Sequence, residues 1–120
     1  MPQVIVRYDS KLIPQDELYG RNPIGSACRR LIAEAASTDE VPFTIHDIEW
    51  ITQPHGPGSI APQIAIEIRT IGYPERKAKL NKERLEELKK DMLAAGLEKY
   101  TASEAPLIWV QFIDAEGAHV

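Results

Sequence analysis

Two stretches sixty residues apart follow one pattern: MPQVIVRY opens the chain, and APQIAIEI begins at residue 61. Each is a small or apolar residue, then Pro-Gln, then a run of β-branched and apolar residues, the composition of a short strand. The segments after the two strands are also alike in kind. After QVIVRY comes a polar stretch with Pro14 and Gly20, read as a loop with one helical turn after Pro14. Asn22-Pro23 is then an N-cap and first-turn pair. Beyond it Ile24, Cys28, Leu31, Ile32 and Ala35 recur at helical spacing. Residues 43–52, FTIHDIEWIT, read as a second strand, and QPHGPGS as a loop.

The second half runs the same course. In PQIAIEIRT, Ile64, Ile66 and Ile68 alternate with Ala65, Glu67 and Arg69, so the isoleucines share one face. A turn at Gly72 and Pro74 leads to LNKERLEELKKDMLAAG, where Leu85, Leu88, Met92 and Ala95 keep helical spacing and Gly96 is placed to end the helix. PLIWVQFI is the last strand. The order predicts an α/β domain over residues 1–120, with pseudo-repeats 1–60 and 61–120. Its two βαβ units form a four-stranded sheet with two helices on one face, the strands of each unit being parallel. A ferredoxin-like α+β fold has the same order of elements with an antiparallel sheet, and the order by itself leaves both open.

Composition removes several function classes. Hydrophobic residues make up 43% and charged residues 27%, the balance of a globular domain. The formal charge is −4 with no basic stripe interleaved with aromatics, so nucleic acid is not an expected partner. No apolar run approaches the roughly 18 to 20 residues that span a bilayer. The N-terminus lacks the basic-then-apolar order of a signal peptide, and a cytoplasmic location is expected with no membrane partner. Cys28 is the only cysteine, which excludes an internal disulfide. Its apolar helical setting predicts an inert buried thiol.

On the Met-Pro start and the repeated strand–helix–strand order, over nearly the whole chain, the sequence resembles the tautomerase superfamily. Members include macrophage migration inhibitory factor, 4-oxalocrotonate tautomerase and malonate semialdehyde decarboxylase. The resemblance implies two βαβ units per subunit, a homotrimer, a small keto or enol acid as substrate and no cofactor. It also implies that Met1 is removed and that Pro2 is the catalytic base. The chemistry explains why such a proline must be terminal. A free α-amino group has a pKa of about 7.7 to 8.0, and an apolar, cation-lined pocket lowers it towards neutrality. Such an amine is a general base near neutral pH. Pro62 has only an amide nitrogen, with almost no basicity.

Family substrates need cations for their carboxylates and for the developing enolate. Arg69 ends the strand begun by Pro62 and resembles an arginine that decarboxylase and dehalogenase members carry there. Their second arginine is replaced here by Ile71 or Gly72. Arg21, after Gly20, resembles a Gly-Arg pair before the first helix of 4-oxalocrotonate tautomerase, although about ten extra residues separate it from the strand. Arg76 lies in the matching turn of the second half, where Tyr73 follows Gly72. Both Arg21 and Arg76 also fit solvated turn residues. Arg7 resembles an arginine of some small bacterial members. With the halves aligned on their prolines it falls opposite Glu67, so a cross-strand charge pair is its structural alternative.

The remaining aromatic and histidine residues point less far. Tyr8, Trp50, Tyr73 and Trp109 can line a pocket, with Trp50 and Trp109 expected in the core or in subunit contacts. His46, His55 and His119 lack metal-ligand spacing. The tail DAEGAHV matches in place a segment that in many family members lies against a neighbouring subunit. The leading expectation is a keto–enol tautomerase using Pro2 with Arg69, and with Arg7, Arg21, Arg76 and Tyr73 as further substrate contacts. The alternative is a non-catalytic binding or assembly module.

Overall fold

The computed structural model describes residues 2–19, 23–39, 41–55, 64–100 and 107–113. The elements run β1 (Gln3–Tyr8), α1 (Gln15–Leu18), α2 (Pro23–Ala36), β2 (Glu49–Pro54), β3 (Ile64–Ile71), α3 (Pro74–Lys79), α4 (Lys82–Ala94) and β4 (Leu107–Ile113). Short 3-10 turns cover Ile45–Asp47 and Leu97–Lys99.

The strands form one sheet in the order β2-β1-β3-β4. β1 pairs β2 in parallel, β3 pairs β4 in parallel, and the two halves meet through an antiparallel β1–β3 ladder. That pairing is the βαβ arrangement, and it excludes the fully antiparallel ferredoxin-like sheet. The duplication is visible in the register. Val6 pairs with Ile66, its own counterpart sixty residues on, so a pseudo-twofold axis passes between them.

The alternation within each strand decides which face is covered. Val4, Val6 and Tyr8 of β1 and Ile64, Ile66 and Ile68 of β3 are buried in one cluster with Ile32 and Ala35 of α2 and Leu88 and Met92 of α4. Both long helices therefore lie on one face of the sheet. At about 25 cal/mol per Å² of apolar surface, such side chains contribute roughly 1.5 to 3 kcal/mol each when fully buried.

Two differences from expectation have local causes. Strand β2 starts at Glu49 instead of residue 43, because Thr44 and Asp47 close a capping box around the 3-10 turn. The Thr44 N–H donates to Asp47 Oδ2 at 2.7 Å, and this bond holds the Asp47 carboxyl below its ordinary value. The residues after Gly72 form a short helix, α3, begun by Pro74 in the first helical turn, where proline suits the fixed φ. The helical turn expected after Pro14 is present as α1, with Pro14 as its N-cap. Gly96 follows α4 with φ 138°, a conformation that side-chain-bearing residues rarely adopt, and an added Cβ would meet Ile24 Cγ1 at 2.7 Å.

Candidate active site

Pro2 stands one residue before β1, where it is buried, and its carbonyl accepts the Glu49 N–H at 3.0 Å. Because β1 and β3 are antiparallel, the start of β1 lies beside the end of β3. A cleft of about 100 Å³ opens there, lined by Pro2, Val41, Phe43 and the run Thr70, Ile71, Tyr73 and Arg76.

Arg76 is the unexpected member. Its sequence setting is compatible with a solvated turn residue, yet Arg76 is only 1% exposed. Its Nε donates to the Ala36 carbonyl at 3.1 Å, and its Nη1 donates to Thr70 Oγ1 at 2.9 Å and to the Ile71 carbonyl at 3.0 Å. The guanidinium carbon sits 4.7 Å from the Phe43 ring centroid and 5.4 Å from that of Tyr73. Such cation–π contacts partly replace lost hydration. No ion pair to a carboxylate is found for it among the described residues. Its Nη2 is buried and has no hydrogen-bond partner among the described residues. Burial pushes the guanidinium below its ordinary value, with Tyr73 opposing the shift, but arginine stays charged at neutral pH.

The other arginines are placed differently. Glu67, 5% exposed on the sheet face away from the helices, accepts from Arg69 Nε at 2.5 Å and from Arg7 Nη1 at 3.1 Å. Arg69 Nη1 also reaches Gln3 Oε1 at 3.4 Å. These bonds, the Arg69 one foremost, hold the Glu67 carboxyl below the usual range against the opposing effect of burial. The Arg7–Glu67 pair is diagonal: the residue directly opposite Glu67 is Ile5, and Arg7 faces Ala65. Arg69 alternates with Thr70 along β3, so it leaves the strand on the face opposite to the cleft side of Thr70. Arg7 lies five residues along β1 from Pro2, roughly 17 Å at strand rise. Neither lines the cleft. Tyr73 does, and Arg21 lies outside the described residues, as do Pro62 and His119.

Thr70, Phe43 and Val41 are cleft residues that the sequence pattern did not single out. Thr70 had a signal, since it continues the even-numbered, helix-facing series Ile64, Ile66 and Ile68 as a buried hydroxyl. Phe43 and Val41 had none, because they approach from the connection between α2 and β2. Among the aromatics, Trp50 Nε1 donates to the Leu18 carbonyl at 2.7 Å and Tyr8 is buried in the core, both structural placements. Burial, with a contribution from Tyr19, pushes the Tyr8 hydroxyl up. No group of three or more His, Cys, Asp or Glu placed to hold a metal is found among the described residues, nor a helix long and apolar enough to cross a membrane.

No family model and no curated protein matches the chain. Solved structures do. A member of the cis-3-chloroacrylic acid dehalogenase family aligns with TM-score 0.61 at 14% identity, over 98% of this chain and 79% of that one. A macrophage migration inhibitory factor-like protein from Entamoeba histolytica aligns with TM-score 0.62 at 11% identity, over 99% and 94%. The chain has the tautomerase fold. A fused 4-OT described as a symmetric trimer carries the same fold, with TM-score 0.59 at 11% identity over 98% and 90%. In this tautomerase fold the cleft beside Pro2 lies where the two pseudo-repeats meet, with Pro2, just before β1, from the first and Thr70 and Ile71 of β3 from the second both contributing to its wall.

Proposed function

We propose that the protein moves a proton between carbon and oxygen of a small keto or enol acid, with Pro2 as the base once Met1 is removed. One observation carries the reading: Pro2 lines the same cleft as a buried arginine for which the described residues supply no carboxylate. In the enol-to-keto direction the prolyl nitrogen takes the enol hydroxyl proton. The electron pair closes the carbonyl and opens the carbon–carbon double bond, and the same nitrogen returns the proton to carbon. Arg76 holds the acid's carboxylate and stabilises the enolate oxygen as charge builds there. Its positive charge also lowers the prolyl pKa towards neutrality. The reaction needs no cofactor.

In this reading Arg76 takes the role first expected of Arg69. Arg69 and Arg7 hold Glu67, while Tyr73 walls the cleft. The proposal includes assembly as a homotrimer, supported by the fused 4-OT trimer of the same fold, and a cytoplasmic setting.

The test uses a substrate that fits the cleft. Exchange of the C3 protons of 2-oxobutyrate for deuterium, followed by NMR, is expected from chain lacking Met1 and not from chain retaining it, with the two forms distinguished by intact mass. Pro2→Ala should lower the rate by about 100-fold or more, within the usual range for a positioned base. Equal exchange by the Met1-bearing chain would rule out the prolyl mechanism, and no exchange by either form would leave a non-catalytic binding module.

A further inference from the structure

Val41 and Phe43 reach the cleft from the end of α2. The last carbonyls of a helix have no partner within it, and here cations from α3 supply two. The Ala36 carbonyl accepts Arg76 Nε at 3.1 Å, and the Ser37 carbonyl accepts Lys79 Nζ. Positive charge thus stands at the negative end of the α2 dipole, where it is favourable. The chain beyond is tied back to the same turn by two side chains. Thr38 Oγ1 accepts the Val41 N–H at 3.0 Å, and the Thr38 N–H donates to the Val41 carbonyl at 3.1 Å. Ser37 Oγ accepts the Phe43 N–H at 2.7 Å. The one Ser37 hydroxyl proton has two carbonyls in range, Ala33 at 2.7 Å and Phe43 at 3.2 Å, and the nearer takes it. Ser37 therefore joins the last turn of α2 to the main chain of Phe43.

Phe43 in turn confines Arg76. The bonds to Ala36, Thr70 and Ile71 hold the guanidinium along its Nε and Nη1 edge, about which the plane can still tilt. The Phe43 ring, 4.7 Å from the guanidinium carbon, packs against the core and limits that tilt. The Tyr73 ring lies 5.4 Å away on a residue 39% exposed, so it confines the cation less. Where the guanidinium stands in the cleft thus depends on Phe43. Phe43 is fixed at its own N–H by the Ser37 hydroxyl and from the following residue by the Thr44–Asp47 capping box.

We propose that Ser37 is a positioning residue for the cleft: its hydroxyl fixes the Phe43 main chain, and the Phe43 ring then holds the Arg76 guanidinium in the place from which its charge acts on Pro2. The inference rests on the function proposed above for the use made of that charge, but not for the placement. The prolyl amine of the chain lacking Met1 is titrated by NMR after labelling proline with carbon-13, the Pro2 signals being those absent from Pro2→Ala. The other charged or titratable groups near the cleft are the Tyr73 phenol in its wall, Glu75, Lys77 and Lys79 on α3, and Glu49 and Arg69, which both bond Gln3. The Ser37 hydroxyl bonds none of them, so a change at Ser37 reaches Pro2 through Phe43 and Arg76. Native Pro2 should titrate below the free-amine value of about 7.7 to 8.0. Ser37→Ala should move it up by roughly half a pH unit, the size Coulomb's law gives when a cation a few ångströms off draws back by about 1 to 2 Å at an effective dielectric of about 20. The same variant should lower kcat/KM for deuterium exchange by about 10- to 100-fold. Phe43→Leu, which removes the ring and leaves the Ser37 bonds, should raise the Pro2 titration likewise, and Ser37→Thr, which keeps the hydroxyl, should restore the native value. Gly25→Ala loosens the far end of α2 against the Tyr19 carbonyl and should leave Pro2 unchanged, which separates positioning from a general loss of stability. A native Pro2 already at the free-amine value, no rise with Ser37→Ala, or as large a rise with Gly25→Ala or Ser37→Thr would overturn the proposal. A depressed Pro2 titration that responds to Ser37 in a chain that exchanges no deuterium would sustain it while the tautomerase reading falls.

Discussion

Replacing Arg76 with methionine separates a functional guanidinium from a structural one. The native side chain is 1% exposed and donates to two backbone carbonyls and a hydroxyl. Hydrogen bonds from a charged donor are worth about 1.5 to 3 kcal/mol each, and all three are lost. Against that loss stands the desolvation of a cation that has no carboxylate among the described residues, several kcal/mol, together with about 1 to 3 kcal/mol for an Nη2 that finds no partner among them. A methionine in the same space regains roughly 2 kcal/mol of apolar burial. The opposing effects nearly cancel, and Arg76→Met should lose no more than about 2 kcal/mol in urea denaturation while losing deuterium exchange. The two proteins should also respond differently to ligand. At a propionate concentration about a hundredfold above its Kd, the native chain should gain about 2.7 kcal/mol and the variant nothing. A variant destabilised by more than about 4 kcal/mol, in the range for breaking a buried ion pair, would show that Arg76 serves the fold and would refute a charge retained for function.

Three further outcomes test other parts of the structure. Glu67 has a depressed folded-state pKa, so its contribution is full above the unfolded carboxylate value of about 4.3 and fades as pH falls through the lower folded value. Acid denaturation of Glu67→Gln should therefore show a shallower loss of stability below about pH 4 than the native chain, and an identical acid limb would refute the Arg7–Glu67–Arg69 assignment. Gly25→Ala places a Cβ 2.1 Å from the Tyr19 carbonyl oxygen, a backbone atom that cannot step aside. A loss of about 2 to 3 kcal/mol in thermal or urea unfolding is expected, and a neutral result would disprove that close approach of α1 and α2. Burial pushes the Cys28 thiol up to about 12, so thiol reagents at pH 8 should label the chain only in denaturant. Rapid labelling of the native protein would show that the packing of α2 against the core does not bury it.

Much of the architecture was legible because it repeats. The isoleucine alternation in β3, the apolar stripes of α2 and α4 and the two Pro-Gln starts all lie within short windows, where period and turn chemistry decide the outcome. Parallel against antiparallel pairing does not lie in such a window, and the resemblance to a family had to supply it. The site was harder for the same physical reason. Arg69 sits on a strand and looks positioned, but Glu67 two residues before it on the same face takes its guanidinium. Arg76 sits in PERKAK, a segment whose composition reads as solvated surface. The groups that bury it come from elsewhere: the Ala36 carbonyl at the end of α2, the Phe43 ring, and Thr70 at the end of β3.

The duplication also bears on why Arg76 has no carboxylate partner among the described residues. Sixty residues separate Arg7 from Glu67 and Asp16 from Arg76, so at both positions the two halves carry opposite charges. The first pair flanks the pseudo-twofold axis at Val6 and Ile66, and its members are close enough to bond at 3.1 Å. The second pair lies ten positions past the axis residues in each half, after Tyr8 ends β1 and after Ile71 ends β3. Antiparallel pairing sends those strand ends in opposite directions. The same symmetry that brings Arg7 to Glu67 therefore holds Asp16 and Arg76 apart, at opposite ends of the central ladder. Arg76 accordingly has the one pseudo-symmetric carboxylate out of reach, beside the end of the sheet where Pro2 begins. A charge divergence between the repeats is paired near the axis, whereas far from it Arg76 has no carboxylate partner among the described residues, and it is Arg76 that lines the cleft.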